Sequence, residues 1–110
     1  MRPPRFRADM RQLDTCYVKG EDLITRHIAG ETLLVPVRGH VGDLDSIYTL
    51  NSVGSRVWQL IDGSTPVARI IDTINAEYEV AEQEAARDVL ALLESLQRAG
   101  LIRRAGENEG

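Results

Sequence analysis

Two periods divide the chain. Up to about residue 50 the apolar residues alternate with polar ones or fall in short runs, and beyond it they recur every three or four residues. The first regime predicts strands and the second helices, because side chains alternate across a strand but return to one helix face every ~3.6 residues. Residues 23–28 and 32–37 read as strands joined by the turn Ala29-Gly30-Glu31, and so as a hairpin. Pro36 has no N–H to give a ladder, which puts it near a strand end or at a bulge. Residues 38–45, with two glycines, two aspartates and His40, read as a loop. A third short strand spans 46–50. Alternation sets Leu44, Ser46, Tyr48 and Leu50 on one face, and Asp45, Ile47 and Thr49 on the other.

Three helices follow. Asn51 is suited to cap the first, over 52–61, because its side-chain oxygen accepts from the free N–H groups of a first turn. Val53, Val57, Leu60 and Ile61 mark the apolar face, Trp58 widens it as a core residue, and Asp62-Gly63 ends it. The second helix has Thr65 as N-cap and Pro66 at the first helical position, presents Val67, Ile70, Ile71 and Ile74, and ends near Glu77. The third runs over 81–99 with Gly100 as its stop. On it Ala85, Val89, Leu92, Leu96 and Ala99 cluster, and Ala86, Leu90 and Leu93 extend the arc. Glu84, Arg87, Asp88, Glu94, Ser95 and Arg98 take the other side. The apolar arc covers about half the circumference, more than the ~100° that one core contact requires. Either the domain wraps around it, or a ligand or second subunit meets it. Leu101-Ile102 is a last apolar pair. The order gives an α+β domain of winged helix-turn-helix type: a three-stranded antiparallel sheet followed by three helices.

The chain's 110 residues make one domain, expected over 15–102, between a flexible N-terminal arm at 1–14 and a flexible tail at 103–110. Hydrophobic residues reach 43 % but aromatics only 5 %, so aliphatic side chains do most of the packing. The single Cys16 cannot form an internal disulfide, which points to a cytoplasmic protein. No apolar run approaches the ~20 residues of a membrane span, and the basic N-terminus lacks the apolar stretch of a signal peptide. A net charge of −4 matters because winged helices often sit on DNA. An acidic domain lacks the charge that supplies non-specific nucleic-acid affinity. The second helix offers only Arg69, and the third sets Arg87 and Arg98 among acids. Catalytic signals are missing too. His27 and His40 have no partners at ligand spacing, and there is no phosphate loop, dinucleotide turn or Ser-His-Asp order. The expectation is a protein that is not an enzyme, with no metal and no cofactor.

Leu50-Asn51, Gly54, Trp58, Asp62-Gly63, Thr65, Ile70, Tyr78, Asp88-Val89, Leu93, Leu96 and Gly100-Leu101, with Gly30-Glu31-Thr32-Leu33-Leu34-Val35 upstream, form an ordered series. In it the chain resembles the PqqD family over about residues 18–102. The resemblance implies a peptide chaperone that captures the leader segment of a ribosomally made precursor peptide. It also implies that the leader is presented to a modifying enzyme, often a radical S-adenosylmethionine enzyme. In that family the leader adds as a strand to the third strand, in a groove lined by the third helix. Carried onto this chain, Asp45, Ser46, Ile47, Tyr48 and Thr49 make the backbone contacts, and Ala85, Val89 and Leu92 form the wall. Strand addition needs an open edge and apolar pockets for alternate side chains, and the residues offer both. Two alternatives remain: a homodimeric scaffold using the wide third-helix face, and a winged-helix DNA-binding regulator.

Overall fold

A computed structural model describes residues 10–37 and 47–106. The elements are α1 (Met10–Asp14), β1 (Tyr17–Lys19), β2 (Leu23–Ile28), β3 (Glu31–Pro36), β4 (Tyr48–Leu50), α2 (Ser52–Leu60), α3 (Val67–Tyr78), α4 (Glu82–Arg98) and β5 (Ile102–Arg104). The result is a mixed α+β fold with small antiparallel sheets and helices.

The hairpin forms as its sequence directs. β2 and β3 pair from Leu23↔Pro36 to Ile28↔Glu31, and the connection narrows to Ala29-Gly30, both at positive φ (51° and 84°). Pro36 closes its strand, where a missing donor costs no ladder bond. β4 joins β3 through Thr32↔Leu50, Leu33↔Thr49 and Leu34↔Tyr48, giving the order β2-β3-β4. The expected third strand is shortened to Tyr48–Leu50. Ile47 precedes it, and Asp45 and Ser46 lie outside the described residues.

One face of this sheet packs on the helices. Thr32 and Leu34 are fully buried there, with Leu50 at 2 % exposure. The core beneath them is aliphatic: Val57, Ile61, Val67, Ile70, Ile74, Val89, Leu93 and Leu96 are all buried. Trp58 is core as expected, at 2 % exposure. The Lys19 ammonium stands 5.1 Å from its ring centroid. Burial pulls the Lys19 pKa below its usual value, partly offset by the Asp62 carboxylate.

Asn51 caps α2 as expected, its Oδ1 accepting from the Gly54 N–H at 2.8 Å. Thr65 does not cap α3. Its hydroxyl donates to Asp62 Oδ2 at 3.1 Å, while the N–H groups of Ser64 and Thr65 donate to Oδ1, each at 2.9 Å. Asp62 therefore organises the turn, and Pro66 becomes the N-cap of α3 without a side-chain bond. Those bonds hold the Asp62 pKa below the usual carboxylate value, the Ser64 N–H contributing most and the Thr65 hydroxyl next. α4 stops as expected, with Gly100 at φ 80°.

The domain's ends differ from the expectation. Residues 10–14, read as the end of an extended arm, form α1, and Leu13 packs on the core. Residues 103 and 104, read as tail, continue β5, which pairs with β1 through Tyr17↔Arg104, Val18↔Arg103 and Lys19↔Ile102. The opposite side of this segment is bonded as well. Tyr17 and Thr15 carbonyls accept from Gly63 and Val67 N–H groups at 2.8 and 2.9 Å. The stretch from Thr15 to Lys19 thus knits the last strand to the start of α3.

Candidate functional site

The expected site centres on β4, and three devices fix that strand from behind. Leu50 is buried under α2, and Asn51 turns the chain directly into that helix. Gly54 lets strand and helix approach closely: a Cβ there would sit 3.2 Å from Leu50 Cβ and 3.3 Å from its Cδ2. A buried hydroxyl pair then joins β3 to α2, with Thr32 Oγ1 and Ser55 Oγ 2.7 Å apart. Thr32 Oγ1 also meets His27 Nδ1 at 3.1 Å, and Ser55 Oγ lies 3.5 Å from the Leu50 carbonyl. A hydrogen-bonded chain therefore runs from exposed His27 beneath β3 to the end of β4.

α2 is fastened in turn to the end of α3. Arg56 Nε and Nη2 donate to the two carboxylate oxygens of Glu77, both at 2.9 Å, and Nη1 donates to Gln59 at 3.1 Å. The Glu77 bond raises the Arg56 pKa and lowers that of Glu77. The pair is largely solvated, so its contribution to stability is small.

β4 is bonded on one side only. Its neighbour is β3, and among the described residues no strand pairs with its other edge. Ile47 is 40 % exposed there, Thr49 is exposed, and Tyr48 is half-buried over the core. The sheet's other edge among the described residues, β2, differs in chemistry because Arg26 and His27 occupy its middle, whereas residues 47–50 carry no charge. Charge within an edge strand blocks pairing, and its absence permits it.

The structure buries two of the three expected wall residues. Ala85 and Val89 are each 1 % exposed and belong to the core. They are not an open wall, because the domain's own elements absorb the middle of the wide α4 arc. Leu92 alone of the three keeps surface, as Leu90 does on the other margin of the arc. A cleft of about 460 Å³ opens elsewhere, between α1, β1, α4 and β5. Its lining includes Gln12, Tyr17, Leu90, Glu94, Gln97 and Arg104, and no expected site residue. Sequence reading missed that cleft, because the three short elements that complete it, α1, β1 and β5, carry no periodic signal. Among the described residues no group of three His, Cys, Asp or Glu could hold a metal ion. No described helix is long and apolar enough to cross a membrane.

Comparison with known proteins bears on this geometry. The family model for coenzyme PQQ synthesis protein D (PqqD) matches residues 31–102, well over half of the chain. A protein named PqqA binding protein, from Rhodopseudomonas palustris, is 37 % identical over 57 residues, which is 52 % of this chain and 56 % of that protein. Proteins of the same name from two further strains are 35 % identical over the same length. The chain thus spans little more than half the length of the curated relatives it matches. A solved chain described as TbiB1 in complex with the TbiA(beta) leader peptide superposes with a TM-score of 0.65 at 26 % identity. That match covers 84 % of this chain and 99 % of the other.

Proposed function

Since the chain belongs to the PqqD family, we propose that it binds the leader segment of a ribosomal precursor peptide by strand addition to the free edge of β4, and presents it to a modifying enzyme. The observation that carries this reading is the uncharged edge at residues 47–50, bonded on one side only and fixed behind by Leu50, Asn51 and the Thr32–Ser55 pair. The likeness to a chain described with its leader peptide supports it. In this reading the protein is a non-catalytic accessory of a cytoplasmic peptide-modification pathway, and its enzyme partner is of the radical S-adenosylmethionine kind. The hairpin followed by α2, α3 and α4 is a winged-helix arrangement, and the domain takes in α1 and the end of β5 on either side of 15–102.

Main-chain bonding alone does not suffice. Three added hydrogen bonds at about 1 kcal/mol each give about 3 kcal/mol, against the ~8 kcal/mol of a micromolar complex. The balance requires roughly 200 Å² of apolar burial at ~25 cal/mol per Å², before any ordering cost of the peptide. Alternate leader side chains must therefore enter apolar ground, and half-buried Tyr48 and Leu92 supply it. Alternate residues of the run 47–50, whose N–H and C=O groups face away from β3, carry the backbone contacts.

The test is an NMR titration of the labelled protein with leader peptides encoded beside its gene, repeated on Ile47→Pro. Shifts gathered on 47–50 that saturate at micromolar peptide are expected in the wild type, with an affinity loss of about tenfold or more in the variant. A folded Ile47→Pro protein that binds as well as wild type would sink strand addition at that position.

A further inference from the structure

The face of the β2-β3-β4 sheet turned away from the helices is laid out in cross-strand rows that end at the β4 edge. Buried Thr32, Leu34 and Leu50 define the inner face, so alternation turns Ile24, Arg26, Leu33, Val35, Ile47 and Thr49 outward. Ile24 pairs with Val35, and continuing the β3–β4 ladder by one residue sets Val35 beside Ile47. Arg26 pairs with Leu33, and Leu33 with Thr49. The first row is wholly aliphatic, while the second runs from a cation to a hydroxyl. Water-facing positions of a one-sided antiparallel sheet are ordinarily polar. Ile24 at 46 % and Ile47 at 40 % exposure depart from that rule, with half-buried Val35 between them. Single exposed apolar side chains are ordinary, but a contiguous set marks an interaction surface, and this one reaches the open edge.

We propose that this row reads the leader. The leader residue beside Ile47 is aliphatic and β-branched, so the bound segment carries two neighbouring apolar residues, one on each face of the sheet. The inference rests on strand addition to β4. A strand added there inherits the pleat, and its side chains alternate between the two faces. The one beside Tyr48 turns inward onto apolar ground, and those beside Ile47 and Thr49 turn outward. A directly opposed pair brings Cβ atoms to about 4.5–5.5 Å, close enough for a β-branched side chain to cover Ile47 and carry the aliphatic row onto a fourth strand. The outward residue beside Thr49 meets a hydroxyl, with Leu33 and Arg26 behind it, and that position tolerates a polar side chain.

The consequence is a narrower substrate class. Contact with the inner face alone asks for an apolar residue at every second position, which any amphipathic strand supplies. Contact with Ile47 as well asks for an adjacent apolar pair. The requirement is the same whichever way the leader runs, because the residue beside Ile47 neighbours the one beside Tyr48 in either direction.

Isothermal titration calorimetry tests this with the leader peptides encoded beside the gene, each apolar residue of a binding peptide being changed in turn to Glu. With the wild-type protein, Glu at two neighbouring positions should weaken binding, by about 100-fold on the inner face and about five- to tenfold on the outer. The outer Glu peptide should bind the Ile47→Lys protein about fivefold more tightly than it binds wild type, while the inner one gains nothing. Ile28→Lys puts the same charge on the same face, opposite Glu31 and away from both rows, and should give no such gain. Ile28 and Ile47 are both exposed, so these substitutions leave the core untouched. A wild type that binds the leader with shifts on 47–50 but tolerates Glu on both sides of the inner position would overturn the outer-face contact and leave strand addition standing. An Ile47→Lys protein that rescues no peptide, or does no better than Ile28→Lys, would do the same. A wild type that binds none of the leaders would remove both.

Discussion

Thr32→Val is the most informative substitution in the molecule. The side chain is fully buried, and valine matches its shape, so packing is preserved and only the hydroxyl is lost. Ser55 then loses its 2.7 Å partner and is left with a carbonyl at 3.5 Å, too long for a strong bond. Leaving a buried hydroxyl unsatisfied costs about 1–3 kcal/mol. For a domain of this size each kcal/mol lowers Tm by about 4–8 °C. Ser55→Ala alone spares Thr32 its second contact, to His27 Nδ1, and should cost about 1 kcal/mol. The double variant removes both hydroxyls, leaves no orphan, and should be destabilised by about 1 kcal/mol or more less than the sum of the singles. Urea unfolding of the four proteins, read by Trp58 fluorescence, closes the cycle. Strictly additive costs, or a Thr32→Val protein as stable as wild type, would show that the hydroxyl chain does not hold β4 in place.

Other outcomes follow from the same geometry. Val89→Asp buries a carboxylate at a site 1 % exposed, and thermal melting should show loss of the folded state rather than a folded protein with a blocked groove. Asp62→Asn tests the turn before α3. Because the folded-state pKa of Asp62 lies below its ordinary 3.8, its ionised form stabilises the fold above that value. The stabilisation is lost as pH falls through the lower, folded-state value. The urea midpoint of wild type should exceed that of the variant near neutrality, and the gap should close on acidification. A gap constant down to about pH 2 would remove Asp62 from that role.

What could be read in the sequence follows how local each signal is. The β2–β3 hairpin rests on alternation around a glycine turn, the start of α2 on the side chain of Asn51, and the end of α4 on Gly100. Each acts within a few residues of the element it defines. The β1–β5 ladder has no such signal, because Tyr17-Val18-Lys19 is too short to show a period and its partners lie at the other end of the chain. α1 escaped for the same reason, with only five residues beside a proline-rich stretch. At Thr65 two local rules competed: a threonine before proline reads as a cap, but Asp62 three residues earlier reaches the same hydroxyl and claims it. The α4 arc shows a different ambiguity. Periodicity reveals that Ala85 and Val89 are apolar-facing, but core and ligand groove share that signature, and only the packing of α2, α3 and β5 around α4 separates them. The charge-free run at 47–50 was visible from the start. That it lies on an open edge depends on strand order, which no residue spells out.

The β1–β5 ladder has one more consequence. Tyr17 and Arg104 face each other across it, so the chain leaving α1 and the chain leaving β5 run about 5 Å apart, and the short α1 keeps the body's entry near its exit. A unit with adjacent entry and exit can be spliced into a surface loop of another protein without prising that loop open. It can also be circularly permuted by a linker from the end of β5 to the start of α1, with the cut at the Ala29-Gly30 tip, where the backbone is exposed. The module is therefore portable: fused within a modifying enzyme or standing alone, it would keep the β4 edge in the same relation to its core.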